Sequence, residues 1–318
     1  MKLLGMRLCE HDSNISYFDG ESVEYFKLER HNRKKHSAYE NYEAWVDEIY
    51  KIWRIKPRDI DEIGIVFDPW HYRLNYLDDD FFPSKKFDYL PYHNMTRVNH
   101  HYAHALSSWP VVQECKNHFV FDAYGDWNIA WSFFQEDKLV DVGYFDKENS
   151  LGNLMNGAAE QLGVVAANDV DRAGKLMGLQ SYGKFDREFY KKLKLFNIKT
   201  IAGAFDMNLW VQHCKDETIA YHTKLNWIRT VHEFVGNCLI KHFKNYIKTD
   251  DHVTFSGGCA QNVVWNTQIK RVFKNLHVFP HCNDEGLSLG VLEFLRKKHQ
   301  LPKFKVQNFP YWQIQRSR

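Results

Sequence analysis

The chain has 318 residues, 44% hydrophobic and 26% charged, with a formal net charge of +2. That length and composition suffice for one large domain or two lobes with a packed core, and exclude a disordered chain. Charge so balanced makes no electrostatic case for nucleic acid or a membrane surface, and Arg33-Lys34-Lys35 and Lys191-Lys192 read as solvated faces.

In chain order, the first thirty residues read as a β-meander: Lys2–Cys9, Ile15–Phe18 and Ser22–Leu28, with Asp19-Gly20 as the hairpin turn. Helical spacing over Tyr39–Ile55 follows, then a buried strand, Ile63–Phe67, ending at Asp68-Pro69. Residues 70–93 show no period and read as a long loop. Arg97–Asn99 predicts a short strand feeding a helix from His101 to Glu114, interrupted by Pro110. A second series repeats this pattern. Asn117–Ala123, Ile129–Gln135 and Leu139–Phe145 predict three strands, and 151–163 and 217–247 predict helices. Val253-Thr254-Phe255 leads through Ser256-Gly257-Gly258 into a helix reaching Phe273; Val278-Phe279 is a short strand and Glu285–Lys297 the final helix. Two meanders, each followed by alternating helices and strands, suggest two related α/β lobes with a cleft for ligands.

Six scattered cysteines (Cys9, Cys115, Cys214, Cys238, Cys259, Cys282) form no CxxC pair, which fits reduced thiols in a cytoplasmic protein. The amino terminus meets charge too early for a secretory signal, and no apolar run is long enough to span a bilayer.

Chemistry concentrates in a few segments. His100 and His104, in Asn99-His100-His101-Tyr102-Ala103-His104, are four apart and share one face of a helix, where they can hold one metal ion. With 17 histidines such a pair also arises by chance, and His277/His281 is a second, strand-like example. Gly257 and Gly258, between a strand and a helix, let the backbone approach a phosphate, although paired glycines also occur in turns that bind nothing. Asp284 either caps the helix that follows it or adds a carboxylate to a two-histidine metal set suited to iron(II) or zinc. His11 and Asp12 stand at the first hairpin and Asp122 at the end of the corresponding strand of the second lobe; each alone is an ordinary polar turn residue. Lys175, in Gly174-Lys175-Leu176-Met177-Gly178, offers a point charge to phosphate without the spacing of a Walker A loop.

The ordered set of the His-Asp hairpin, HHYAHA, FDAYGD, GKLMGLQSYG, SGGCAQN and NDEGLSLG resembles the nodulation- and antibiotic-type O-carbamoyltransferase family, from Met1 to Leu295. More distantly it is similar to the protein that forms threonylcarbamoyladenosine in tRNA and to the related domain of the hydrogenase carbamoylation factor. The resemblance implies an α/β chain of the actin-like ATPase and sugar-kinase fold, two ribonuclease-H-like lobes around a nucleotide cleft. The lobes would span 1–115 and 116–300, with 301–318 a short tail in place of the family's second, carbamoyl-adenylate-forming domain. It further implies His100, His104, Asp284 and Asp122 as ligands of a divalent metal, iron(II) first and zinc second. Gly257, Gly258 and Asn262 would hold the nucleotide, Lys175 would line the same cleft, and His11 with Asp12 would face the reacting carbonyl. The expected reaction transfers a carbamoyl group from carbamoyl-adenylate, made from ATP, to the hydroxyl of a small molecule or nucleotide. Cys259-Ala260-Gln261 departs from the family's usual run before the asparagine, and the chain stops at Arg318. Activation is therefore expected from a separately encoded partner domain; the competing readings are an ATP-binding regulator and an inert subunit of a modification complex.

Overall fold

The computed structural model describes residues 1–8, 11–39, 43–66, 95–112, 115–123, 125–144, 150–194, 214–305 and 309. The loop expected at 70–93, and Phe67, Asp68 and Pro69, lie outside them. The chain divides into two compact units: Met1–Glu114 with Gly125–Trp127 and Phe279–Arg318, and Cys115–Tyr124 with Asn128–Val278.

The first unit is built on β1 (Leu3–Arg7), β2 (Asn14–Phe18), β3 (Val23–Lys27), β4 (Glu62–Val66) and β5 (Met95–Arg97), in the order β3-β2-β1-β4-β5. β1 to β3 pair antiparallel, and β4 and β5 run parallel to β1. The turn between β2 and β3 is the one expected: Asp19 Oδ1 accepts from the amides of Glu21 and Ser22 at 2.8 Å, and Gly20 takes φ +112°. β1 is wholly buried because both faces of this central strand are covered. Leu4 and Met6 face one way, toward Trp45 and Ile49 of the helix Ala44–Trp53. Leu3 faces the other way, toward Leu289, Leu292 and Leu295 of the final helix, Leu287–Lys298. That helix also packs closely on the helix His100–Leu106: a Cβ on Gly290 would lie 1.8 Å from the carbonyl oxygen of Ala103, so no larger residue fits. The His100 helix ends earlier than its sequence suggests, at Leu106 rather than near Pro110. Ser107 terminates it, donating its hydroxyl to His104 O at 2.8 Å, and Trp109 Nε1 is tied to Leu289 O at 2.9 Å.

Glu62, buried at the start of β4, accepts from Thr96, Lys298 and His299. Burial alone would raise its carboxyl, but the hydrogen bonds from Lys298, Thr96 and His299 outweigh it and leave the group below its ordinary value of 4.5. A carboxyl depressed in the folded state contributes stability above its unfolded value and loses it as pH falls. Glu62→Gln is therefore expected to cost about 1–3 kcal/mol near neutral pH. The gap to the wild type should close as the solution is acidified from about pH 4.5 downward, read by urea unfolding across pH. A gap independent of pH would show that the cost is steric rather than ionic.

The second unit repeats the plan with β6 (Asn117–Phe121), β7 (Ile129–Gln135), β8 (Lys138–Tyr144), β9 (Val253–Ser256) and β10 (Leu276–His277), in the order β10-β9-β6-β7-β8. Again three strands pair antiparallel, and two more run parallel to the first of them. Its core is aromatic: Phe119 of β6 stacks on Phe243 of the helix Tyr221–Phe243 with ring centroids 3.8 Å apart, and on Phe133 of β7 at 4.4 Å. The last strand forms at Leu276–His277, two residues before Val278-Phe279, because its register with β9 pairs Leu276 with Val253. The helices Arg172–Leu179 and Arg187–Lys194 were not anticipated; the first carries two glycines and buries only Leu176 of its residues. No helix among the described residues is long and apolar enough to cross a membrane.

Candidate functional site

In the first unit, the end of β5 turns into the His100 helix at Asn99, whose side-chain oxygen caps it by accepting from Tyr102 N at 3.1 Å. Asp126 fixes the same corner: one carboxylate oxygen pairs with Arg97 Nη2 at 2.6 Å and the other accepts from His100 N at 2.9 Å. One turn of helix then brings His100 Nε2 and His104 Nε2 to 3.1 Å from each other. Asp284, in the short helical turn before the final helix, places Oδ1 3.2 Å from His104 Nε2 and 3.5 Å from His100 Nε2. All three side chains are buried.

Two imidazole nitrogens and one carboxylate oxygen, separated by little more than 3 Å, match the edge lengths of ligands bonded at about 2.0–2.2 Å to one divalent ion. The N, N, O set suits zinc or iron(II). Burial by itself would raise the Asp284 carboxyl; the charge of His100, the hydrogen bond with His104 and the charges of His11 and Arg7 instead hold it well below the usual carboxylate range. Asp284 is thus an anion in the protein interior, the state in which a carboxyl group coordinates a cation.

The first hairpin supports this cluster. Arg7 Nη2 lies 3.3 Å from Asp284 Oδ2, and Asn14 Nδ2 donates to Asp284 O at 2.9 Å while its Oδ1 accepts from Ser288 N at 3.0 Å. His11 Nε2 lies 3.9 Å from Asp284 Oδ2, and His11 Nδ1 is 2.9 Å from Asp12 Oδ2. Asp12 takes φ 56°, a left-handed backbone that costs a non-glycine residue on the order of 1 kcal/mol. Its other carboxylate oxygen is 2.9 Å from His36 Nδ1. Burial lowers the His11 imidazole, but the hydrogen bond to Asp12 and the charge of Asp284 outweigh it and leave the group above its ordinary value.

Sequence reading missed Arg7, Asn14, His36 and Asp126. Arg7 carried a signal, because an arginine ending an otherwise apolar strand needs an anionic partner once buried. His36 directly follows Arg33, Lys34 and Lys35, which are exposed as expected.

In the second unit, β9 ends in the glycine loop. Gly257 has φ +87°, and a Cβ there would lie 2.2 Å from Phe121 O, so this position admits only glycine. A Cβ on Gly258 would lie 3.0 Å from Asp122 Oδ1, itself half-buried and accepting from Ala123 N at 2.7 Å. Asn262 caps the helix Val263–Val272, its side-chain oxygen accepting from Val264 N and Trp265 N at 3.1 and 3.2 Å. Beside this helix runs a groove of about 490 Å³ edged by Arg229, Asn237 and Arg271. Lys175 is exposed on the helix Arg172–Leu179, with its ammonium donating to Val165 O at 2.5 Å. The structure thus brings His100, His104, Asp284, His11 and Asp12 together in one unit, and Gly257, Gly258, Asn262 and Asp122 in the other.

The model for the carbamoyltransferase N-terminus matches residues 74–292. Two uncharacterized proteins of Methanocaldococcus jannaschii are 27% identical over 256 residues and 25% over 298, covering 69% and 89% of this chain. The chain spans only 40% and 55% of their lengths. Among solved structures, T. kodakarensis HypF is similar with a TM-score of 0.58 at 12% identity, over 95% of this chain and 48% of that one. The activator of 2-hydroxyisocaproyl-CoA dehydratase from Clostridium difficile, with bound ADPNP, gives a TM-score of 0.55 at 11% identity, over 96% of this chain and 100% of that one. At such identities the likeness is one of fold, and it agrees with the two matching sheets: the fold is the actin-like ATPase and sugar-kinase one. With more than half its length matched by that model, the chain belongs to the carbamoyltransferase N-terminus family.

Proposed function

We propose that this chain transfers a carbamoyl group from carbamoyl-adenylate to an acceptor hydroxyl. The observation that carries the reading is the buried His100, His104 and Asp284 triad, in a chain of a carbamoyltransferase family. A divalent metal held by these three residues would neutralise charge on the adenylate phosphate. Gly257 and Gly258 would let the loop backbone approach a nucleotide phosphate, with the helix capped by Asn262 following it and a groove running along that helix. Lys175 is proposed as a cation for the same nucleotide, which requires its ammonium to leave Val165.

The acceptor oxygen bonds to the carbonyl carbon and the carbon–oxygen bond to phosphate breaks, its electron pair leaving with AMP. His11 Nε2 takes the hydroxyl proton, while Nδ1 stays bonded to Asp12. Formation of the carbamoyl-adenylate is assigned to a separate activating domain. The test supplies synthetic carbamoyl-adenylate and a panel of sugars and nucleosides to the purified protein. Acceptor-dependent AMP release and a carbamoylated product are expected, and His11→Ala should slow them by roughly 100-fold or more. Release that no acceptor stimulates would remove the transfer reading and favour a nucleotide-binding regulator; full activity in His11→Ala would remove only the base assignment.

A further inference from the structure

Two non-glycine residues with left-handed backbones, Asp12 at φ 56° and His36 at φ 55°, meet through their side chains. The Asp12 carboxylate is 3% exposed and lies between two imidazoles, with His11 Nδ1 on Oδ2 and His36 Nδ1 on Oδ1, each at 2.9 Å. An ionised carboxylate only accepts, so both Nδ1 atoms carry their protons. Neutral His11 then has its single proton on Nδ1 and presents Nε2 as a lone pair, the form a proton acceptor needs. The two rings do not bond each other: their centroids are 6.4 Å apart and their planes perpendicular. Their link is Asp12.

His36 is itself held in place. Its backbone N–H donates to Glu29 Oε2 at 3.2 Å, Glu29 Oε1 pairs with Lys27 Nζ at 3.0 Å, and the carbonyl of Ser37 accepts from Ser13 N at 2.9 Å. We propose that His36 is a positioning residue for carbamoyl transfer, holding Oδ1 of Asp12 so that Oδ2 fixes His11 in the tautomer whose Nε2 accepts the hydroxyl proton. This rests on the transfer reaction proposed above and adds to it a residue that does not touch the reacting atoms. The logic is that of an orienting carboxylate behind a histidine base, with the orienting group itself oriented. Asp12, Glu29 and His36 also bring three potential ligand atoms within 4.8 Å of one another, which is compatible with a second cation. Against that reading, the Lys27 ammonium already occupies Glu29 and the His36 proton occupies Asp12.

The experiment compares wild type, His36→Ala and His36→Asn by the ring 15N signals of His11 in protein freed of metal by chelation, by kcat and KM with carbamoyl-adenylate, and by metal content. His36→Ala should convert His11 from the Nδ1-protonated form to a mixture of tautomers and lower kcat roughly 10- to 100-fold with KM little changed. His36→Asn, whose side-chain N–H replaces the Nδ1 donor, should restore both readings. An unchanged His11 tautomer in His36→Ala overturns the proposal, as does a second equivalent of metal that this variant loses. A tautomer change without any transfer by the wild type leaves the hydrogen-bonded relay standing and sinks the transfer reaction alone.

Discussion

His104→Ala is expected to hold no divalent metal, where the wild-type protein is expected to hold about one equivalent per chain. The imidazole of His104 is fully buried, and its Nε2 stands 3.1 Å from His100 and 3.2 Å from Asp284. Removing it takes away one of the two imidazole ligands, and a single histidine with carboxylate donors is a poor set for holding zinc or iron(II) against buffer. Loss of even a supporting contact to a metal ligand costs 10- to 100-fold in affinity, so loss of a ligand should exceed roughly 100-fold. Elemental analysis of anaerobically purified protein reads the effect directly, and Asp284→Asn, which keeps the shape of the side chain, should behave alike. A thermal melt close to that of the wild type would separate metal loss from unfolding. Metal retained in both variants would show that the triad is not the metal centre; no metal in any of the three proteins would leave the buried cluster a structural ion network.

The second large effect is expected at the glycine loop. Gly257→Ala should abolish ADPNP binding and destabilise the second unit by about 2–3 kcal/mol. Its φ of +87° disfavours any side chain, and the new Cβ would press within 2.2 Å of the carbonyl oxygen of Phe121 in the neighbouring strand. Gly258→Ala is the milder companion, because its Cβ would meet only the Asp122 carboxylate, at 3.0 Å. Calorimetric titration with ADPNP and urea unfolding distinguish the two losses. Wild-type binding in both variants would mean that the loop is a tight turn and not a nucleotide cradle.

Much of the fold was legible because strand and helix periods are local. The meander at the amino terminus, its Asp19-Gly20 turn, strand Ile129–Gln135 and the long helix now bounded by Tyr221 and Phe243 all follow from neighbouring residues. The misses share a cause as well. The helix Arg172–Leu179 carries glycines that local propensity counts against, and it borrows its stability from packing against the helix Leu151–Gln161 rather than from its own sequence. The His100 helix stops at Leu106 because Ser107 and the Trp109–Leu289 hydrogen bond redirect the chain, long-range facts that no window of residues contains.

The sequence by itself determined that His100 and His104 share one helical face, since four residues make about one turn, and that glycines separate β9 from the helix after it. Only the tertiary structure decided which carboxylate meets the histidines. Asp284 reaches them because the final helix packs through Gly290 onto Ala103, and because Asn14 ties the backbone of Asp284 to the first hairpin. The same packing decided that Arg7 would be buried beside an anion and that His36 would meet Asp12 across 24 residues. A helical period is a property of adjacent peptide units, whereas the meeting of side chains hundreds of residues apart depends on how sheets and helices exclude water from one core.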